Sequence, residues 1–143
     1  MSVHVTTKRI KKDWTDYNEH MNMAYYVLIF DLAWEVILEK FKMGEHSART
    51  TQKSTMVVET HTTYNKEVNQ GDEVDIVLTY FDHDKKRLHF KLEMYEKSKQ
   101  TLSATIEMLS LYIDLNQRKV AEFEDEKIKI MDDFINKNKS EFN

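Results

Sequence analysis

The chain of 143 residues is long enough for one domain with a substantial core, and we expect a single domain over residues 1–143. Hydrophobic residues make up 41% and charged residues 32%, which excludes a disordered chain, and no apolar run reaches the roughly 20 residues of a membrane span. The net charge of −4 argues against binding to nucleic acid or anionic membranes, while the absence of cysteine excludes thiol catalysis and fits a cytoplasmic location.

The predicted elements begin with a short strand from Val3 to Ile10 and a long helix from Met21 to Phe41. Apolar residues cover most of the circumference of this helix, which predicts that it is largely buried. Five of them form one stripe at helical spacing: Met21, Tyr25, Leu28, Leu32 and Val36. After Gly44, residues 46–53 are polar and predict a loop.

Alternating strand patterns fill most of the remaining chain, at residues 54–68, 74–80, 88–94 and 102–113. The last pattern changes phase at Leu109, which predicts a bulge or burial on both faces. An amphipathic helix is predicted over about residues 124–138. The order of elements predicts an α+β fold, in which a curved antiparallel β-sheet wraps a long central helix.

Three polar side chains alternate just before the long helix, namely Asp16, Asn18 and His20. A carboxylate can act as a base or as a nucleophile, and the first backbone N–H groups of a helix are unpaired. We therefore expect the N–H groups of His20, Met21 and Asn22 to form an oxyanion hole beside Asp16. From the local residues alone, the simpler interpretation is that Asp16 caps the helix or starts a turn, and Asn18 is an equally good candidate for the cap.

Four stretches between about Val3 and Phe123 support a family resemblance. They are Trp14-x-Asp16-Tyr17-Asn18-x-His20-Met21-Asn22-x-Ala24-Tyr25-Tyr26, Val58-Glu59-Thr60-His61-x-x-Tyr64-x-x-Glu67-Val68-x-x-Gly71-Asp72, Asp84-Lys85-x-Arg87-Leu88-His89 and Ala104-Thr105-x-Glu107-Met108. Together they resemble the hotdog-fold thioesterases of the 4-hydroxybenzoyl-CoA thioesterase-like superfamily. The first stretch is also similar to the catalytic segment of plant-type acyl-ACP thioesterases. Within the superfamily, the chain resembles the betainyl-CoA thioesterase-like group of bacterial carnitine degradation, although Tyr112 stands where that group tends to have histidine.

The resemblance implies a hotdog fold and an acyl-CoA thioesterase that hydrolyses a short or polar acyl-CoA, with betainyl-CoA as one candidate. Asp16, Asn18 and His20 are the implied catalytic residues, and no cofactor is expected beyond the CoA thioester substrate. A homodimer is expected, with a homotetramer as the alternative. Two other classes stay open, a non-catalytic hotdog module that binds acyl-CoA and a hotdog enzyme of another reaction type, such as a dehydratase.

Further residues are expected to bind the substrate. For the acyl side they are Tyr17, Asn22, Tyr25, Tyr26, Glu59, His61 and Tyr64. An aromatic cage that also includes Trp14 and Trp34 would suit a quaternary ammonium group, although ordinary core packing explains these rings equally well. The CoA phosphates are expected to meet the basic residues Lys85, Lys86, Arg87 and His89. Asp31 and Glu35 on the long helix are the alternative bases, and no metal site is expected.

Overall fold

The computed structural model describes residues 2–142, which form a single antiparallel sheet and three α-helices. The elements in chain order are β1 (Val3–Arg9), α1 (Met23–Lys40), α2 (Glu45–Thr51), β2 (Lys53–Tyr64), β3 (Glu73–His83), β4 (Arg87–Glu96), β5 (Thr101–Asp114), β6 (Lys119–Val120) and α3 (Asp125–Lys137). Strands are ordered β1-β3-β4-β5-β2, and β6 pairs with β5. This confirms the α+β architecture and places β2 at one edge of the sheet.

Helix α1 packs on the inner face of the sheet. Its buried side chains are Tyr26, Ile29, Phe30, Ala33, Trp34, Ile37 and Leu38. Trp34 stacks on Phe90 of β4, with ring centroids 3.5 Å apart. The prediction that this helix is largely buried holds for only one side of α1 within one chain, because Leu28, Leu32 and Val36 are 38–40% exposed on the opposite side. A helix that is apolar on most sides does not reveal which side the sheet covers.

Four bulges bend the sheet around α1. In each case one extra residue interrupts the strand pairing, at Val5 of β1, Val58 of β2, Thr79 of β3 and Ser103 of β5. An extra residue kinks its strand and increases the local twist. Strand β5 keeps one buried face through Ala104, Ile106, Met108, Ser110 and Tyr112, so its own phase does not change at Leu109. The predicted bulge lies in the neighbouring strand, where Val58 of β2 is the extra residue opposite Leu109 and Ser110, and Ile113 on the other face is also buried.

The segment after α1 is helical and not the predicted polar loop. Helix α2 begins directly after Gly44, and the Glu45 N–H donates to the Glu35 carboxylate at 2.9 Å. A Cβ at residue 44 would overlap the carboxylate ends of Glu39 and Glu35, so these two flexible side chains would have to move to make room for it. The predicted alternative base Glu35 therefore has a structural partner at the start of α2.

Helix α3 closes one end of the core. Met131 is fully buried, and Phe134 packs edge-on against Phe41 with ring centroids 5.2 Å apart. Its bounds lie close to the expected range of about 124–138, and Phe142 beyond it packs against Phe134. Over residues 2–142, none of the helices is long and apolar enough to cross a membrane.

Candidate active site

A short loop presents Asp16 immediately before α1. Thr15 and Met21 pair as an isolated antiparallel bridge, which closes the loop. Inside it, the Asp16 N–H donates to the His20 carbonyl at 3.2 Å, and the Glu19 N–H donates to the Asp16 carbonyl at 2.9 Å. Glu19 adopts a left-handed conformation with φ of 68°, which turns the chain sharply. The alternating polar side chains therefore sit on a tight turn and not inside the helix.

The Asp16 carboxylate is held from two sides. The Asn18 backbone N–H donates to Oδ1 at 2.9 Å, and the Asn22 side-chain amide donates to Oδ2 at 3.4 Å. Asn22 is also the N-cap of α1, because its Oδ1 accepts the Ala24 N–H at 3.0 Å. The cap is therefore Asn22, so neither Asp16 nor Asn18 caps α1. The other simple interpretation of Asp16, that it starts a turn, is confirmed by the Asn18 and Glu19 N–H groups that donate to it. The Asn18 side chain is exposed, so its contact with Asp16 is made only by the backbone.

Two of the three predicted oxyanion-hole donors are already occupied. The Met21 N–H donates to the Val68 carbonyl at 2.8 Å, and the Asn22 N–H donates to the Trp14 carbonyl at 2.9 Å. That part of the prediction was wrong, because tertiary neighbours use these groups. Met23 is the first residue of α1, where a backbone N–H has no intrahelical partner. Its N–H is the donor that the first turn of α1 leaves for a ligand. The predicted donor His20 also stays available, because its N–H has no hydrogen-bond partner among residues 2–142.

His20 contacts a carboxylate other than Asp16. Its Nε2 lies 3.6 Å from Oε2 of Glu67, and its Nδ1 lies 3.4 Å from the Met21 carbonyl oxygen. The ring is partly buried. His20 therefore does not hold Asp16, which is positioned by Asn18 and Asn22.

Two tyrosines form the apolar wall of the same region. The rings of Tyr26 and Tyr64 meet edge to face, with centroids 5.3 Å apart. The Tyr26 hydroxyl accepts the Val68 N–H at 3.3 Å. Burial raises the pKa of Tyr26, and the nearby Glu67 carboxylate acts in the same direction against the effect of that hydrogen bond. The phenol therefore stays neutral and keeps its own proton for donation.

These groups line one cleft of about 430 Å³, a volume within the range of small-molecule sites. Its lining residues are Asp16, His20, Met21, Asn22, Met23, Tyr26, Tyr64, Asn65, Lys66 and Glu67. The structure thus brings together five of the predicted site residues. Sequence reasoning did not assign Met23, Asn65, Lys66 or Glu67 to the site, although Glu67 belongs to the second stretch of the family resemblance.

The other predicted aromatic residues lie elsewhere. Tyr17 is 92% exposed and does not line the cleft. Tyr25 stacks on Trp14, with centroids 6.2 Å apart, and Trp34 is buried in the core. The predicted cage of six rings was therefore wrong within one chain, since only Tyr26 and Tyr64 face the cleft.

A second depression of about 480 Å³ lies on the outer face of the sheet. It collects four of the predicted binding residues, namely Glu59, His61, Arg87 and His89. His89 Nε2 lies 2.7 Å from Oε2 of Glu107 on the neighbouring strand. Within one chain these residues do not line the Asp16 cleft, because β2 directs Glu59 and His61 away from the face that carries Tyr64.

Three of the four predicted CoA-binding residues, Lys85, Lys86 and Arg87, lie at the turn between β3 and β4, whereas His89 lies within β4. We call residues 84–87 the basic turn. Asp84 accepts hydrogen bonds from the N–H groups of Lys86 and Arg87 and from the Arg87 guanidinium, at 2.6–2.8 Å. Lys85 and Lys86 are exposed, and within residues 2–142 neither ammonium group has a carboxylate within 4.0 Å. The two lysines, and not Arg87, are therefore the free cations of the basic turn.

A helix wrapped by a curved antiparallel sheet, with a carboxylate held at the start of that helix, defines a hotdog-fold thioester hydrolase. The sequence model of the thioesterase-like superfamily matches residues 10–132, and the chain belongs to this family. A betainyl-CoA thioesterase from Pseudomonas aeruginosa is 28% identical over 114 residues, which cover 80% of this chain and 72% of that protein.

Solved structures share the same fold. A Staphylococcus aureus protein in complex with CoA matches with a TM-score of 0.88 at 23% identity, over 95% of this chain and 86% of its own. A 1,4-dihydroxy-2-naphthoyl-CoA thioesterase from Synechocystis matches with a TM-score of 0.81 at 15% identity, over 93% of this chain and 97% of its own. The predicted hotdog fold is thereby confirmed.

Proposed function

We propose that this protein is an acyl-CoA thioesterase that hydrolyses a short or polar acyl-CoA to the free acid and CoA. The observation that carries the proposal is the Asp16 carboxylate, held by Asn18 and Asn22 at the start of α1 and opening onto the cleft. The relative from Pseudomonas aeruginosa, whose name states a CoA thioester substrate, supports the same class of substrate.

The proposed chemistry assigns a part to each group around Asp16. Asp16 removes a proton from water as the water oxygen attacks the thioester carbonyl, or the Asp16 carboxylate attacks the carbonyl and water later hydrolyses the resulting acyl–Asp16 anhydride. The Met23 N–H, at the positive end of the α1 dipole, donates to the oxyanion that forms. The carbon–sulfur bond then breaks, and the CoA sulfur takes up a proton. His20 and the neutral Tyr26 hydroxyl line the same cleft and can supply this proton.

For the acyl group we propose betainyl or a similar small cation. Support comes from the 28% identity to a betainyl-CoA thioesterase and from the wall of the cleft. The rings of Tyr26 and Tyr64 meet there, and the Glu67 carboxylate lines the same cleft. Aromatic faces and a carboxylate attract a quaternary ammonium, with about 0.5–2 kcal/mol for each ring. On this proposal the protein acts in carnitine degradation.

A thiol-release screen tests the proposed function. The purified protein is offered a panel of acyl-CoA thioesters that includes betainyl-CoA, neutral short-chain and long-chain members, and free thiol is measured. We expect release from short or polar thioesters, with betainyl-CoA the best substrate. Binding without thiol release would identify an acyl-CoA-binding module, and hydration of enoyl-CoA without free CoA would identify a dehydratase. The absence of a cofactor and the cytoplasmic location stay predictions from the sequence.

We propose that Lys85 and Lys86 bind the CoA phosphates. Both ammonium groups are exposed at the basic turn, and Arg87 is engaged by Asp84. Charge-assisted hydrogen bonds to phosphate are among the stronger polar contacts of proteins. Arg87 then shapes the turn and does not itself need to touch the phosphates.

Replacing Lys85 and Lys86 together with alanine should raise KM for acyl-CoA by about tenfold, because two charged contacts are lost while the groups around Asp16 are untouched. The value of kcat should stay within about twofold. Steady-state kinetics at two salt concentrations measure both effects, and the matched control is Lys97→Ala/Lys99→Ala in the exposed turn between β4 and β5. An unchanged KM in the Lys85/Lys86 variant would show that the basic turn does not bind the CoA phosphates.

We also propose a homodimer that forms through β2 and α1. Strand β2 is at the edge of the sheet, so one row of its backbone groups is unpaired in a single chain. Exposed apolar side chains lie on β2, at Met56, Val57 and Val58, and on the side of α1 that the sheet leaves open, at Leu28, Leu32 and Val36. An apolar patch of this kind beside an open strand edge supports pairing with a second copy.

Replacing Leu32 and Val57 with aspartate should convert the dimer to single chains, because two charges would be buried without partners at the contact. Light scattering after size-exclusion chromatography measures the mass and also distinguishes a homodimer from a homotetramer of the wild type. Val120→Asp on β6 is the control, because Val120 is 45% exposed but lies away from the proposed contact. A wild type with the mass of one chain would contradict the proposal.

A further inference from the structure

One buried histidine links α3 to the basic turn. The side chain of His83, the last residue of β3, is 8% exposed, and its Nε2 lies 2.6 Å from Oδ1 of Asp132 on α3. Its Nδ1 lies 2.8 Å from the carbonyl oxygen of Asp84, the first residue of the basic turn. The His83 ring also packs edge-on against Phe123, with centroids 6.2 Å apart. The position of Asp84 therefore depends on a side chain that α3 holds.

The conformation of the basic turn depends in turn on Asp84. Its carboxylate accepts the Lys86 N–H at 2.8 Å and the Arg87 N–H at 2.7 Å, and its own N–H donates to the Arg87 carbonyl at 3.1 Å. Partial burial acts to raise the pKa of Asp84, but the hydrogen bonds from Lys86 and Arg87 outweigh it and keep the pKa below its usual value. Asp84 thus organises the backbone that carries both free lysines.

The segment that leads into α3 makes a second contact with the turn. The Phe123 N–H donates to the Lys85 carbonyl at 2.9 Å, two residues before α3 begins. The Tyr112 N–H of β5 donates to the Lys86 carbonyl at 2.8 Å. The backbone of each lysine is therefore fixed by a neighbouring segment, while both side chains extend into solvent.

Loss of the Asp132 carboxylate would leave the buried His83 ring with one nitrogen facing no acceptor. Leaving a buried polar atom unpaired costs more than losing a solvent-exposed ion pair. We therefore expect the His83 ring to shift, and the Asp84 carbonyl that Nδ1 contacts to shift with it. A substitution on α3 would in this way change the conformation of the basic turn, although α3 itself does not contact the ligand.

We propose that α3 is a positioning element for CoA recognition, in which the His83–Asp132 contact holds the basic turn so that Lys85 and Lys86 meet the phosphates of CoA. The proposal rests on the proposed acyl-CoA function. His83 and Asp132 are positioning residues, since neither lines the Asp16 cleft. They affect the binding of the CoA nucleotide and leave the thioester chemistry unchanged.

Two neighbouring aspartates of α3 provide a matched test. Asp132→Ala removes the acceptor of His83, whereas Asp133→Ala makes the same change at a residue paired only with Lys129, at 2.8 Å on the same helix. We expect Asp132→Ala to raise KM for acyl-CoA and Kd for free CoA by about fivefold, with kcat nearly unchanged. KM for the same acyl group on N-acetylcysteamine, which lacks the nucleotide, should not change. Asp133→Ala should match the wild type in all assays.

A rescue variant and a stability measurement separate positioning from general damage. Asp132→Asn keeps an oxygen that can accept from His83 and should restore most of the affinity for CoA. Thermal unfolding of each variant shows that folded proteins are compared. Equal effects of Asp132→Ala and Asp133→Ala would overturn the proposal, as would equal loss with both thioesters. If the wild type binds CoA in calorimetry but releases no thiol, the proposed function fails, while the Kd comparison still decides the role of α3.

Discussion

Replacing Asp16 with asparagine should lower kcat by about 10²- to 10⁴-fold, the range that a lost general base or acid contributes. The amide has the shape of the carboxylate, and its oxygen can still accept the Asn18 N–H. It can neither take a proton from water nor attack the thioester. The fold should be intact, because Asn22 and not Asp16 caps α1.

The measurement is thiol release at saturating acyl-CoA, with circular dichroism to check folding. Asp13→Asn, an exposed aspartate three residues earlier, makes the same chemical change outside the cleft and should behave as wild type. Turnover of the Asp16 variant close to that of the wild type would exclude Asp16 from the mechanism. A single turnover in ¹⁸O-labelled water can then identify the nucleophilic route, because label enters the Asp16 side chain only if the carboxylate attacks the carbonyl and water opens the anhydride at the aspartyl carbon. Label in the product acid alone fits both routes.

Most of the fold could be predicted from the sequence because its hydrophobic periods are long and regular. Strand β4 alternates cleanly, so its buried residues were assigned correctly. In β3 the alternation holds through Leu78, but the bulge at Thr79 puts Phe81 and not the predicted Tyr80 in the core. The failures came where a pattern has no unique solution. The apolar residues of α1 cover nearly all sides, and the sheet alone decides that Trp34 is buried while Leu32 is exposed. Leu109 and Leu111 broke the pattern of β5 because apolar residues also occupy its outer face.

The site was only partly predictable, for a similar reason. The motif singled out Asp16, but which amide holds it depends on how the loop closes. The loop is closed by tertiary hydrogen bonds, in which the Val68 and Trp14 carbonyls accept the N–H groups of Met21 and Asn22. Val68 is far from Met21 in the sequence, and Trp14 meets Asn22 only because the loop between them closes. The backbone N–H left free in the first turn of α1 is therefore that of Met23, a residue that no polar motif marks.

Trp34 is the residue on which the packing of α1 against the sheet most depends. Its indole is 2% exposed and stacks on Phe90, with centroids 3.5 Å apart and planes 14° from parallel. It also meets Phe41 edge-on at 6.4 Å and Phe81 at 6.1 Å. Removing a side chain of this size from a close-packed core loses its burial and leaves a cavity that neighbours fill only in part.

Trp34→Ala should therefore lower the free energy of unfolding by about 3–5 kcal/mol, measured by urea denaturation at one fixed protein concentration. Trp34→Phe should cost clearly less, because it keeps a ring against Phe90 and removes Nε1, a buried atom with no hydrogen-bond partner among residues 2–142. A decrease in the free energy of unfolding below about 1 kcal/mol in the alanine variant would contradict the close packing of Trp34. Since Trp34 lies outside the Asp16 cleft, the folded fraction of either variant should retain the wild-type kcat, which separates loss of stability from loss of chemistry.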